Sequence, residues 1–161
     1  MGKFLKDINL KNKVAVVTGA TKGIGRATAI SLHQVGANII AIGRNQNELN
    51  SLRKKLKTRV KIFSCDVNDY EKIKKIIYGL DRVDILVNNA GTNLPEPFLD
   101  VNKSSLETLL NVNTKSAFNM AKLCTDKMLK MRNRKKIGGS IIHTSSMFGL
   151  VGGPNLSLIH I

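Results

Sequence analysis

The stretch Thr18-Gly19-Ala20-Thr21-Lys22-Gly23-Ile24-Gly25 constrains this chain more than any other. It follows an apolar run, Val14-Ala15-Val16-Val17, that reads as a buried strand, and it leads into a segment from Arg26 to Val35 that reads as a helix. A strand, a glycine-rich turn and a helix in that order build a phosphate site. The turn offers backbone N–H groups, and the helix amino terminus adds partial positive charge. Gly19 permits the tight turn out of the strand, Gly23 lets backbone approach a diphosphate, and Gly25 lets the helix pack closely on the strand.

Alternation of strand and helix continues along the chain. Strands are expected at Val14–Thr18, Asn38–Ile42, Val60–Ser64, Val83–Val87 and Ser140–Thr144. The first helix is expected from about Ile24 to Val35, with Ile24, Ala27, Ile30, Ser31 and Val35 facing the sheet and Gly36 ending it. Asn45 suits the N-cap of a helix from Gln46 to about Lys57, whose inner stripe is Leu49, Leu52 and Leu56. Asp69 suits the cap of a third helix with Ile73, Ile76 and Ile77 inward. A long helical stretch from about Lys103 to Met131 is expected to break near Asn111 to Thr114. Such alternation implies a parallel, doubly wound α/β sheet, in which ligands sit outside the carboxyl ends of the strands. The polar residues that leave those ends therefore converge on one edge.

Composition narrows the classes. With 161 residues and 42% hydrophobic content, the chain is long enough for one domain with a core. No apolar run is long enough to span a bilayer, and Met1 to Lys13 lacks a signal-peptide core, so the chain reads as cytoplasmic with no membrane partner. Cys65 and Cys124 stand far apart, outside any metal-type spacing, and read as reduced structural residues; no metal site is expected. A net charge of +15 and a pI near 10.1 permit nucleic-acid binding. However, the lysines are spread along helix faces, and the densest run, Lys127 to Lys136, closes a helix where cations suit the dipole. No nucleic-acid partner is expected.

The opening motif has the spacing T-G-x-x-x-G-x-G, not G-x-G-x-x-G, and Asn88-Asn89-Ala90-Gly91 follows the fourth strand. Together these resemble the short-chain dehydrogenase/reductase family, from Lys13 to about Asn155. The resemblance implies a Rossmann-type fold and hydride transfer between a nicotinamide and a small-molecule carbonyl or alcohol. It implies cofactor contacts from Gly19, Thr21, Lys22, Gly23, Ile24, Gly25, Arg44, Asn45, Asp66, Val67, Asn89, Ala90 and Gly91. An acid at the end of strand two would bind a ribose 2′-hydroxyl. Arg44 stands there instead, with Lys22 in the glycine turn, and two cations suit a 2′-phosphate, so the cofactor is expected to be NADP(H).

By resemblance, catalysis falls to an Asn, a Ser, a Tyr and a Lys. Asn113 and Ser146 match the first two. The Tyr should stand at position 159, where this chain has Ile159, and the Lys would follow four residues later. Leu156-Ser157-Leu158-Ile159-His160-Ile161 departs from the family pattern and matches the translation of a transposon end used in sequencing-library preparation. Residues 1–155 are therefore read as a partial NADP(H)-binding domain, and 156–161 as a non-native tail. The fold is expected to be incomplete, lacking the family's C-terminal strands and helices, with an apolar sheet edge exposed and no catalytic activity in this fragment. The parent is expected to be a homotetramer or homodimer, with the Lys103 to Met131 stretch contributing to the interface. Its activity would be that of a 3-oxoacyl-carrier-protein reductase or of a sugar, polyol or dicarbonyl reductase. The compact Gln46 to Thr58 segment leans toward the second. The alternative is a non-catalytic dinucleotide-binding or interaction protein.

Overall fold

The computed structural model describes residues 8–131 and 138–146. In chain order they form β1 (Val14–Thr18), α1 (Gly23–Gln34), β2 (Asn38–Gly43), α2 (Gln46–Leu56), β3 (Val60–Ser64), α3 (Tyr70–Tyr78), β4 (Ile85–Asn88), a 3-10 turn (Phe98–Asp100), α4 (Lys103–Leu109), a π-helical turn (Leu110–Lys115), α5 (Ser116–Leu129) and β5 (Ser140–His143). The strands pair in the order β3-β2-β1-β4-β5, and every pairing is parallel. The chain works outward from β1 to β3, then returns to lay β4 on the other side of β1. That reversal opens a crevice at the carboxyl ends of β1 and β4.

Because side chains alternate across a strand, each central strand feeds two cores. Ala15, Val17, Ile39, Ala41, Ile85 and Val87 pack with Ala29, Leu49, Leu52 and Leu56 of α1 and α2. Val16, Ile40, Ile42 and Leu86 pack on the other face with Ile73, Ile76 and Ile77 of α3 and Met120, Leu123, Cys124 and Met128 of α5. The expected stripes of α2 and α3 are the buried ones. Their caps are as expected too: Asn45 Oδ1 accepts from the Glu48 amide at 3.1 Å, and Asp69 Oδ1 from the Lys72 amide at 3.1 Å.

The expected stripe of α1 is right in part: Val35 is buried and Ile30 packs against the core, but its other three members do not face inward. Ile24, Ala27 and Ser31 are exposed, and Gly25 and Ala29 are buried in their place. Helical periodicity is compatible with either face, and the face is chosen by how close the helix must come to β1. Only a stripe begun by glycine allows that approach. The break in the long helix is present, but as a π turn that leaves α4 and α5 continuous through it.

At the amino ends of the strands, Asp84 is 4% exposed and joins three partners. Its carboxylate accepts from Arg82 at 2.6 and 2.8 Å and from the Val14 amide at 2.9 Å, with Lys13 Nζ at 3.9 Å. β5 is the outermost strand described, and Ile141 and Ile142 on it remain substantially exposed. The expectations placed on 147–161, including position 159 and the tail, lie outside the described residues, as does the second half of the Lys127 to Lys136 run.

Candidate functional site

Thr18 closes β1 with its side chain buried. Its hydroxyl accepts from the amides of Asn89 and Ala90, both at 3.0 Å, and donates to the Val87 carbonyl at 3.4 Å. In return, Asn89 Nδ2 donates to the Thr18 carbonyl at 3.2 Å and the Gly19 carbonyl at 3.4 Å. The glycine turn and the Asn-Asn-Ala-Gly step are thus one hydrogen-bonded object. Thr18→Val keeps the shape but leaves two amides without their acceptor. It is expected to lower stability by about 2 kcal/mol. Urea unfolding of the variant against wild type measures this, and an unchanged midpoint would count against the Thr18 pin.

Three glycines make the turn and its packing possible, the first being Gly19, with φ +64° and the Asn89-Ala90 step too close for a side chain. Gly23 has φ +55°, and a side chain there would project into open space, leaving the backbone bare toward the crevice. Gly25 lies beneath: a Cβ on it would collide with the Gly19 carbonyl and Asn89 Nδ2. α1 carries no acidic residue in its first turn, and Lys22 at its N-cap makes no side-chain cap. The amino terminus of α1 therefore offers both partial positive charge and bare backbone, a fit for an anionic diphosphate.

The crevice has a volume of about 670 Å³. Gly19, Thr21, Lys22, Gly23 and Ile24 reach it from β1, Arg44 and Asn45 from β2, Asp66 and Val67 from β3, and Asn89, Ala90 and Gly91 from β4. Of the expected cofactor contacts, Gly25 alone does not line it. Arg44 is 79% exposed and sits 3.9 Å from Asp66 Oδ2. Asp66 also shapes its own turn, with Oδ1 accepting from the Asn68 amide at 2.9 Å.

Asn113 is in the π turn and does not itself line the crevice. Its side chain grips one residue of the β4 loop, accepting from the Thr92 amide at 2.8 Å and donating to the Thr92 carbonyl at 2.9 Å. This fixes the loop that follows Gly91 against the helix. Ser146 is exposed just beyond the end of β5, where Thr144 lines the crevice. Sequence reasoning missed the lining by Gly43, Glu48, Cys65, Thr92, Thr108, Val112 and Thr144. Glu48 was within reach of it, since an acid three residues after an N-cap Asn is a capping pattern that ties it to the Arg44 turn.

Both cysteines are free and buried. Burial pushes the Cys124 thiol up to about 12 and raises that of Cys65 too, so neither is a ready thiolate. No helix among the described residues is long and apolar enough to cross a membrane.

The family model described as short chain dehydrogenase matches residues 13–158. NADPH carbonyl reductase 2 of Sus scrofa is 35% identical over 150 residues, covering 93% of this chain and 59% of that protein. The 3-oxoacyl-[acyl-carrier-protein] reductase FabG of Thermotoga maritima is 34% identical, covering 91% and 61%. L-xylulose reductase of Mus musculus is 33% identical, covering 87% and 55%. A crystal structure assigned as a short-chain alcohol dehydrogenase, from Sinorhizobium meliloti, superposes with a TM-score of 0.84 at 31% identity, over 94% of this chain and 61% of that one. This chain spans about 60% of the length of the curated relatives it matches.

Proposed function

The chain belongs to the short-chain dehydrogenase family, and on that premise we propose that it is the cofactor-binding part of an NADP(H)-dependent oxidoreductase acting on a small carbonyl or alcohol. The observation that carries this is the pairing of Lys22 and Arg44 on one crevice, with Arg44 at the end of β2 where a reader of the bare ribose would present an acid. Two cations attract a 2′-phosphate, and Arg supplies a planar fork for it. The name of the Sus scrofa relative, which specifies NADPH, supports the same reading.

A bound nicotinamide would supply the hydride. The chain's residues do the placing. Gly23 and the amino terminus of α1 would receive the diphosphate, Asp66 and Val67 would border the adenine, and Ala90 and Gly91 would leave room for the ribose and nicotinamide, all of them lining the crevice. Asn113 fixes the Thr92 backbone beside them, and Ser146 would steady the substrate oxygen in the whole protein. We take residues 1–155 as the domain and the chain's last residues as foreign to it, while the family model's match runs on to residue 158. A genomic tyrosine codon at 159 supports that division, and a genomic Leu-Ser-Leu-Ile-His-Ile ending overturns it. The whole protein works in the cytoplasm as a dimer or tetramer through the α4–α5 stretch, where Leu110, Phe118 and Leu129 are exposed. The substrate is a sugar, polyol, dicarbonyl or 3-oxoacyl carbonyl.

Arg44→Ala in the full-length protein is expected to weaken NADPH binding about 10-fold and to leave NADH binding nearly unchanged. Fluorescence titration with both cofactors measures it. Equal affinity of the wild type for the two would remove the NADP(H) reading.

A further inference from the structure

Glu48 is one of two acids in a crevice read as binding phosphate; the other, Asp66, lies 3.9 Å from Arg44. Glu48 lines the same space as Lys22 and Arg44, in the first turn of α2, directly after the Arg44-Asn45 step. An acid suits that place for the helix, because it complements the partial positive charge at the amino terminus of α2. It does not suit a doubly charged ribose phosphate, since like charges in one crevice repel.

Arg26 resolves the conflict. Its Nη1 lies 3.7 Å from Glu48 Oε2 and donates to the Glu48 carbonyl at 3.0 Å. The guanidinium is fixed from two further directions. Nη2 donates to Ser51 Oγ at 3.0 Å, and Nη1 reaches the Thr21 carbonyl at 3.4 Å. The Arg26 side chain is 21% exposed and that of Glu48 51%, so the guanidinium is largely shielded from solvent while the carboxylate stays open to the crevice side. Thr21 is the residue before Lys22, so this one guanidinium ties the glycine turn to α2.

We propose that Arg26 is a specificity-determining positioning residue: it neutralises Glu48 within the crevice, and the crevice accepts the phosphorylated ribose only while it does so. This rests on the NADP(H) reading above. Arg26 acts through Glu48 and need not touch the cofactor. Uncovering Glu48 therefore penalises NADPH and spares NADH, which lacks the extra phosphate.

The test is calorimetric titration of the full-length protein with NADPH and with NADH, for wild type, Arg26→Gln, Glu48→Gln and the double variant. Gln at 26 keeps hydrogen-bond donors, and melting temperatures are recorded alongside. Arg26→Gln is expected to weaken NADPH about 10-fold and NADH less than about 3-fold. Glu48→Gln added to it is expected to restore most of the NADPH loss, which a purely structural role of Arg26 would not allow. Glu48→Gln alone is expected to leave NADPH binding equal or somewhat tighter. Equal loss of both cofactors in Arg26→Gln, a double variant as weak for NADPH as the single one, or a marked NADPH loss in Glu48→Gln alone each overturns the proposal. If the wild type itself shows no preference for NADPH, the NADP(H) reading fails and the proposal with it. If it does prefer NADPH and the variants misbehave, the proposal fails alone.

Discussion

Gly25→Ala is expected to destabilise the protein by about 3 kcal/mol and to lower its melting temperature by roughly 10 °C. Two effects oppose each other at this position. Gly25 is inside α1, where alanine is the better helix former by about 1 kcal/mol. Against that, the added methyl meets the Gly19 carbonyl and Asn89 Nδ2, one of them rigid backbone. Asn89 cannot swing aside freely, because its amide nitrogen already bonds the Thr18 and Gly19 carbonyls. Steric crowding therefore outweighs helix propensity, and α1 must move off β1. That shift also moves the Gly23 turn, so dinucleotide binding is expected to be lost together with stability. A calorimetric melt with and without cofactor measures both. A variant melting within about 2 °C of wild type would show that the helix has slack the packing denies.

Asp84→Ala is expected to lower stability by about 4 kcal/mol, because it leaves Arg82 and the Val14 amide without their shared acceptor. The same carboxylate gives stability a pH dependence. Burial, the largest influence on Asp84, pushes its pKa up. The Arg82 hydrogen bonds, the Val14 amide and the charges of Arg82 and Lys13 together outweigh it and hold the group below its ordinary 3.8. A carboxylate whose folded pKa lies below its unfolded one stabilises fully above the unfolded value. That contribution is lost as pH falls from about 3.8 toward the lower folded value. Urea midpoints at neutral pH and in that acid window test this. Wild type is expected to lose more stability across the window than Asp84→Ala, and parallel losses in the two would remove Asp84 from the account.

The elements legible beforehand share a property. α2 and α3 carry leucines and isoleucines at helical spacing and begin with a capping Asn or Asp, so local chemistry alone specifies where they start and which face is inward. α1 lacks that redundancy. Its isoleucines, Ile24 and Ile30, sit on different faces, and its buried stripe is made of Gly25 and Ala29, which carry almost no hydrophobic signal. The break in the Lys103 to Met131 stretch was visible in the Asn-rich Asn111-Val112-Asn113 run. Its form was not, since Asn113 in the π turn bonds the Thr92 backbone, a partner 21 residues away that the local run does not show.

The amino-acid order by itself determined the succession of strands and helices, the parallel sheet that follows from it, and the edge at which the glycine turn, Arg44, Asp66 and the Asn89 step emerge. Periodicity, caps and turn chemistry act over a few residues, and the right-handed crossover does the rest. Only the tertiary structure decided what those residues do to one another. The Thr18 hydroxyl joins the Asn89 amide across 71 positions of sequence, Arg26 bonds the Glu48 carbonyl across 22, and Asp84 binds the Val14 amide across 70. A polar side chain carries no mark of its distant partner. Its partner is set by the register in which β1, β2 and β4 lie side by side, and that register exists only once the two cores have closed on the sheet.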